Sequence, residues 1–221
     1  MRISVRQFSV AVAIGLAAGF LLCGYEFIRS TSSSLFIGAF GSSALPYAML
    51  AGSILTLALL FGYGWVLTWL GPRRTLFYST AIALVAITGG YFAQVGGFRF
   101  APGILYAFRE AYIVILVEQY WSFIDSAFRE GDAKRLNGFI CGLGSLGAIG
   151  GGYAVGVLAR STSGFYIGTE NILLLAAISL LPAALLSDLA YRLEGEPAPA
   201  LREEDSHTAL ALRLFADSSY L

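Results

Sequence analysis

Six long apolar stretches dominate this sequence of 221 residues. A helix needs about 20 apolar residues to cross the hydrocarbon core of a bilayer, and each stretch approaches or exceeds that length. None alternates strictly between apolar and polar residues, as the strand of a membrane barrel would. The sequence therefore predicts an all-α membrane protein whose six transmembrane helices form one domain, residues 1–190. The predicted spans are 8–28, 45–69, 75–95, 103–124, 136–158 and 172–189.

The overall composition agrees with a membrane protein and excludes several other classes. Apolar residues make up 57% of the chain and charged residues 13%, whereas soluble proteins average about 25% charged residues. The net charge is zero, so no basic surface points to a nucleic acid. No P-loop, zinc-binding spacing or serine-hydrolase motif occurs. We therefore expect a protein of the lipid bilayer that is not an enzyme and needs no cofactor or metal.

Basic residues are divided unevenly between the predicted connectors. Ten lie in the N-terminus, the 2–3 turn, the 4–5 turn (with Lys134 and Arg135) and the C-terminal tail. The opposite connectors hold one each, Arg29, Arg99 and Arg160. The positive-inside rule assigns the more basic side to the cytoplasm. This predicts a polytopic protein of the cytoplasmic membrane with both termini in the cytoplasm.

The composition changes after the sixth predicted span. Residues 191–208 are polar and acidic and contain two prolines, which is typical of a solvated linker. Residues 209–221 become partly apolar again, as at the approach to a seventh span. We therefore interpret 191–221 as a cytoplasmic linker and expect the chain to be the first half of a longer transporter.

Ionisable residues inside the predicted spans mark the candidate site, because charge within a membrane is costly and usually functional. Glu26 and Arg29 are three residues apart at the end of span 1, so they share a helix face. They are either an interfacial ion pair or a ligand or gating contact. Span 4 carries Arg109 and Glu110 near its outer end and Glu118 near mid-depth. Of these residues, Glu118 is the strongest candidate for a functional role.

Glu118 also begins a polar stripe along span 4. Ser122, Asp125 and Arg129 follow it at i+4, i+7 and i+11, which places all four on one helix face. Such a stripe should face the bundle interior or an aqueous cavity. It is either a substrate or proton path, or a structural network with arginines of neighbouring helices. We interpret Asp125 as a structural residue at the cytoplasmic gate.

Span 5 is crowded with glycine, with eight of the 26 glycines between positions 138 and 156. Small residues four apart let membrane helices approach closely. Both static close packing and a sliding or rocking contact would explain this pattern. The segment 142–147 also matches GxGxxG, but no strand precedes it, which excludes a dinucleotide site. The spaced pairs are Gly138 with Gly142, Gly147 with Gly151, and Gly152 with Gly156.

The segment 108–152 resembles spans 4 and 5 of the ATP/ADP translocase (NTP/NDP exchange) family. In that family, a helix with an early acid and a late tryptophan leads into an Ala-Lys-Arg turn and a glycine-rich helix. The corresponding residues here are Glu110, Trp121, 133–135 and 142–152. The family belongs to the major-facilitator-like transporters, with twelve spans in two six-helix halves and the substrate between them. The resemblance implies that this chain is one half, and that its partner is a missing C-terminal half or a second copy.

One departure from the family pattern concerns the substrate. Nucleotide exchangers carry an arginine at the end of span 1, followed three residues later by Lys-Asp and then Ser/Thr-Leu. Arg29 and Ser34-Leu35 match this pattern, but Ser32 and Ser33 stand in place of Lys-Asp. Because a polyphosphate needs Lys or Arg partners, the loss of a cation favours a solute other than ATP or ADP.

The resemblance and the intramembrane charges together predict a transporter that works by alternating access. The solute would be small, and anionic or nucleotide-like. Arg29, Arg109 and Glu118 would bind it or a coupling proton, and span 5 would be the contact on which the halves move. The alternative is a six-helix anchor or scaffold that transports nothing.

Overall fold

The computed structural model describes residues 4–127, 130–160, 162 and 164–195, without the side chains of residues 68, 122, 125–127 and 130–135. Within these residues the chain forms six long helices and no strand. All but α4 are long and apolar enough to cross a membrane. The prediction of an all-helical, membrane-embedded protein is therefore confirmed. The helices are α1 Val5–Phe40, α2 Leu45–Leu70, α3 Pro72–Val95, α4 Ala101–Ala127, α5 Glu130–Leu158 and α6 Ile172–Glu194.

The first helix is longer than the sequence predicted. Its predicted end was residue 28, but α1 continues to Phe40 and has 36 residues, roughly 54 Å at 1.5 Å per residue. Serine can stay helical by bonding to the backbone of the preceding turn. Ser32 does so, since its hydroxyl donates to the Arg29 carbonyl at 3.3 Å. Residues 30–34, a polar run that follows the predicted end of span 1, are therefore part of the helix.

Two other predicted boundaries also fall inside helices. The predicted linker begins at residue 191, but α6 continues to Glu194, and Tyr191 is buried with its ring centroid 4.5 Å from that of Phe123. The predicted 4–5 turn residues Lys134 and Arg135 belong to the helical backbone of α5. Their side chains, and the predicted linker and seventh span from residue 196 onwards, lie outside the described residues.

The connection between α2 and α3 is a tight turn at the place of the predicted 2–3 turn. Gly71 has a φ of 74°, in the left-handed region that glycine adopts without a steric penalty. Its N–H donates to the Leu67 carbonyl at 3.1 Å. Pro72 then begins α3, where its missing N–H removes no helical hydrogen bond.

The packing of the helices has an internal symmetry. α1 packs against α4, α5 and α6, and α4 packs against α1, α2 and α3. The six most extensive helix pairs are reproduced when α1 is exchanged with α4, α2 with α5, and α3 with α6. The sets α1–α3 and α4–α6 therefore pack on each other with the same pairing pattern, and the α1–α4 and α3–α6 pairs are the two that the exchange leaves unchanged.

One end of the bundle gathers the start of α1, the start of α3 and the end of α6. Arg6 donates to the carbonyl of Glu194 at 3.1 Å. The Asp188 carboxylate accepts from Arg73 at 2.7 Å and from Arg192 at 2.7 Å. These contacts place the N-terminus, the 2–3 turn and the end of α6 at one end, which agrees with the distribution of basic residues.

Candidate functional site

Arg109 lies at the contact between α1 and α4 and is only 6% exposed. Its Nη1 donates to the Arg29 carbonyl at 2.7 Å, to the Ser32 hydroxyl at 3.3 Å and to the Ser33 hydroxyl. Its Nε donates to the Glu110 carboxylate at 3.0 Å. A buried charge is tolerated when it is paired and hydrogen-bonded. Arg109 therefore joins the two helices through charge-assisted hydrogen bonds.

An aromatic ring fixes the orientation of this guanidinium. The Arg109 Cζ lies 3.9 Å from the centroid of the Tyr106 ring, one helical turn earlier on α4. This distance is within the range of a cation–π interaction. The Tyr106 ring itself is buried against Phe36 of α1, with 4.9 Å between the ring centroids. The guanidinium is thus held from one side by a packed ring and from the other by the backbone of α1.

The two groups of charges that the sequence predicted separately meet in one place. Glu26 and Arg29 pair at 3.2 Å on α1, and the Arg29 side chain is 57% exposed while that of Glu26 is 20% exposed. The half-buried Tyr25 lies within electrostatic reach of both residues, and of Arg109 and Glu110. We call Glu26, Arg29, Arg109 and Glu110 the α1–α4 charge cluster.

Glu118 does not join the α1–α4 charge cluster. It lies eight residues beyond Glu110 on α4, about 12 Å along the helix axis. Its side chain is exposed and makes no hydrogen bond or ion pair with any described residue, although it lies within electrostatic reach of Tyr63 on α2. Glu118 therefore does not point into the interior of the six helices, which was one of the two predicted orientations. The side chains of Ser122 and Asp125, which continue the predicted stripe, lie outside the described residues.

The six glycines that the sequence singled out in α5 divide into two sets. A Cβ added to Gly147 would overlap the Gly19 carbonyl of α1, and one added to Gly151 would lie 2.7 Å from the Cys23 carbonyl oxygen. Close packing of α5 on α1 therefore depends on Gly147 and Gly151. The other four face open space, with no described atom within 4 Å of an added Cβ: Gly138, Gly142, Gly152 and Gly156.

Several residues of the site were not identified from the sequence. Ser32 and Ser33 were noted as departures from a family motif and as part of a polar run, residues 30–34, that would suit a wet cavity. Neither was predicted to bind Arg109, because span 1 was expected to end before them. Once α1 continues, they lie one turn beyond Arg29. The buried Gln119 was also missed; its Nε2 donates to the Ser79 hydroxyl at 2.8 Å and so links α4 to α3. A polar amide inside an apolar helix is the signal that would have revealed it.

The fold and the site define an α-helical membrane protein with a charge cluster between its first and fourth helices. Among the residues that the structure describes, no group of three or more His, Cys, Asp or Glu side chains is arranged to hold a metal ion. The sequence matches no protein-family model, and comparison with curated proteins and with solved structures finds no similar protein.

Proposed function

We propose that the six helices form one half of a transporter, which moves a small solute by alternating access against a second six-helix half. Three partly or largely exposed charged side chains in the helices carry this proposal: Arg29, Glu110 and Glu118. A charge at the centre of a membrane helix costs about 3 kcal/mol. A second protein surface or a water-filled path is therefore needed beside α1 and α4. The second half would come from a longer chain or from another copy.

The packing symmetry supports this proposal. Three membrane crossings reverse the direction of the chain, so two related sets of three spans have opposite orientations. Inverted repeats of this kind underlie many secondary transporters, which bind substrate near the midplane where the repeats meet. In this protein the charge cluster lies at the α1–α4 contact, one of the two helix pairs that exchanging the sets leaves unchanged.

The charged residues have different roles in the proposal. Arg29 contacts the solute, because its guanidinium is exposed and pairs well with an anionic group. Arg109 is a positioning residue, because its Nη1 and Nε donors are used by α1 and by Glu110. Glu118 is the candidate for a coupling proton, because its carboxylate is exposed and is not paired with any described residue.

The positions of two serines support a solute with less charge than a nucleoside triphosphate. Ser32 and Ser33, found where the resembling family has Lys-Asp, accept hydrogen bonds from Arg109. They add no cation to the site, and Arg109 is buried behind them. Arg29 is thus the one exposed cation among the four residues of the cluster, which favours a small solute with a single anionic group.

Cysteine accessibility along α4 tests the proposal. After both native cysteines are replaced by alanine, single cysteines at Glu110, Val114 and Glu118 are reacted with a membrane-impermeant thiol reagent added to either side of the membrane. We expect labelling from both sides at these outward positions, because the path opens alternately. Ala111 and Leu116 are buried and provide matched positions that should stay protected. Protection at all five positions would refute a solute path and favour the anchor or scaffold alternative.

A further inference from the structure

A cavity at the basic end of the bundle lies outside the site described above. It has a volume of about 360 Å³ and lies between the start of α3 and the end of α6. Its lining combines basic, aromatic and small apolar side chains. They include Arg73, Arg74, Phe77, Tyr78, Ala184 and Asp188.

Among the described residues that line this cavity, basic side chains outnumber acidic ones. Asp188, the one described carboxylate of the lining, accepts hydrogen bonds from Arg73 and Arg192. Arg74 is exposed and makes no hydrogen bond or ion pair with any described residue. Arg74 is thus an exposed cation at the rim of the cavity, which suits a ligand with negative charge.

A second, apolar cavity begins beside the first. Its volume is about 370 Å³, and it lies between α2, α3 and α4 with a lining that is mostly aliphatic and aromatic, including Trp65, Val66 and Ile82. Tyr78 lines both cavities. The two spaces therefore share one wall on the outer face of α3.

The side chains along this face change from charged to apolar, in the same order as the head group, interfacial region and acyl chains of a phospholipid. Arg74, Tyr78 and Ile82 are four residues apart and all exposed, so they form one stripe about 12 Å long. Arginine suits a phosphate, tyrosine is enriched at the membrane interface, and isoleucine suits an acyl chain. Basic pockets between membrane helices are known to bind anionic head groups.

We infer that the face of α3 between these cavities binds an anionic phospholipid. The phosphate lies against Arg74 and Arg73, and an acyl chain follows Tyr78 and Ile82 into the apolar cavity. A zwitterionic lipid fits less well, because Asp188, the one carboxylate among the described residues of the basic cavity, is already paired with two arginines. The inference concerns the outer surface of α3 and does not depend on transport.

Lipid titration of the purified chain in neutral detergent tests the inference. Dioleoyl-phosphatidylglycerol should raise the thermal unfolding midpoint in a saturable manner, while dioleoyl-phosphatidylcholine and inorganic phosphate should have little effect. Arg74→Gln should weaken the apparent affinity for phosphatidylglycerol about fivefold, the effect of one basic residue near a lipid surface. Arg99→Gln, an exposed arginine in the connector after α3, is the matched control and should leave the affinity unchanged.

Each other outcome overturns the inference in a recognisable way. Equal stabilisation by inorganic phosphate would indicate a free-anion site, and equal stabilisation by phosphatidylcholine would indicate that only the acyl chain is recognised. An unchanged affinity in Arg74→Gln would show that the head group lies elsewhere. If Arg74→Gln lowers the midpoint without lipid, native mass spectrometry of the unaltered chain decides, and equal retention of the two lipids refutes an anionic site.

Discussion

The contact of α1 with α5 and the contact of α1 with α4 hold the same helix by different means. At the first, Gly147 and Gly151 lie directly against the α1 backbone, with no space for a side chain. At the second, Arg109 joins the helices through hydrogen bonds and a stacked ring. Membrane helices associate through van der Waals packing and through interhelical hydrogen bonds, and α1 uses one of these on each side.

The difference between these two contacts indicates which of them can rearrange while the protein stays folded. A contact between two backbones at glycine is favourable in one arrangement only, because the dispersion energy is gained when the helices touch and is lost when they separate. The donors of an arginine can exchange one acceptor for another, including water or a solute, at little net cost. We therefore expect α1 and α5 to stay together, and the groups at the α1–α4 contact to take part in function.

The largest expected effect is at the glycine contact. Gly147→Ala places a Cβ against the Gly19 carbonyl, and because backbone atoms cannot move aside as a side chain can, the helices must separate. We expect a loss of about 3 kcal/mol in the free energy of unfolding, measured in detergent micelles with denaturant. Gly152→Ala adds the same methyl group to open space and should not destabilise the protein, since alanine favours a helix over glycine by up to about 1 kcal/mol. Equal stability of the two variants would show that the contact is not tight.

The next effect should come from Arg109. Arg109→Gln removes the charge and most of the donors that satisfy Ser33 and the Arg29 carbonyl. We expect a loss of about 2 kcal/mol, because buried acceptors are left without partners. Arg29→Gln is the matched control, since it breaks an exposed ion pair that contributes at most about 0.5 kcal/mol. If both variants lose the same stability, Arg109 does not join the helices as the geometry indicates.

A smaller effect is expected at Ser33. Ser33→Ala removes one acceptor of the Arg109 guanidinium and should cost about 1 kcal/mol. Ser34→Ala changes an exposed neighbour and should cost nothing measurable. In an Arg109→Gln background the Ser33 change should also become silent, because a double-mutant cycle isolates their interaction. A cost that persists in that background would assign another role to Ser33.

The sequence predicted the positions of the helices better than it predicted the end of α1. Hydropathy located the six helices, because apolar length is a local signal. It did not find the end of α1. Ser32 is polar, yet it is buried and bonds to its own helix, so a polar run was mistaken for a connector.

In the site, too, the sequence predicted contacts within one helix but not contacts between helices. The Glu26–Arg29 pair followed from spacing within one helix and is present at 3.2 Å. The partners of Arg109 lie about 80 residues away on α1, and only the packing of α1 against α4 brings them together. The exposure of Glu118 likewise depends on which face of α4 is covered by α1, α2 and α3, which spacing along one helix does not determine.

The smallest effect on stability, and the largest on function, is expected at Glu118. Because its carboxylate is exposed and makes no hydrogen bond or ion pair with a described residue, Glu118→Gln should change the free energy of unfolding by less than about 0.5 kcal/mol. It should nevertheless abolish solute uptake by the intact protein in proteoliposomes. The unaltered protein is first screened with small organic anions and nucleoside phosphates, and the solute that it accumulates is then used to test the variant. Glu170→Gln, in the connector before α6, is the matched control and should transport normally. Unchanged uptake in Glu118→Gln would refute the coupling role, and the exposed charge would then mark only the surface that the second half covers.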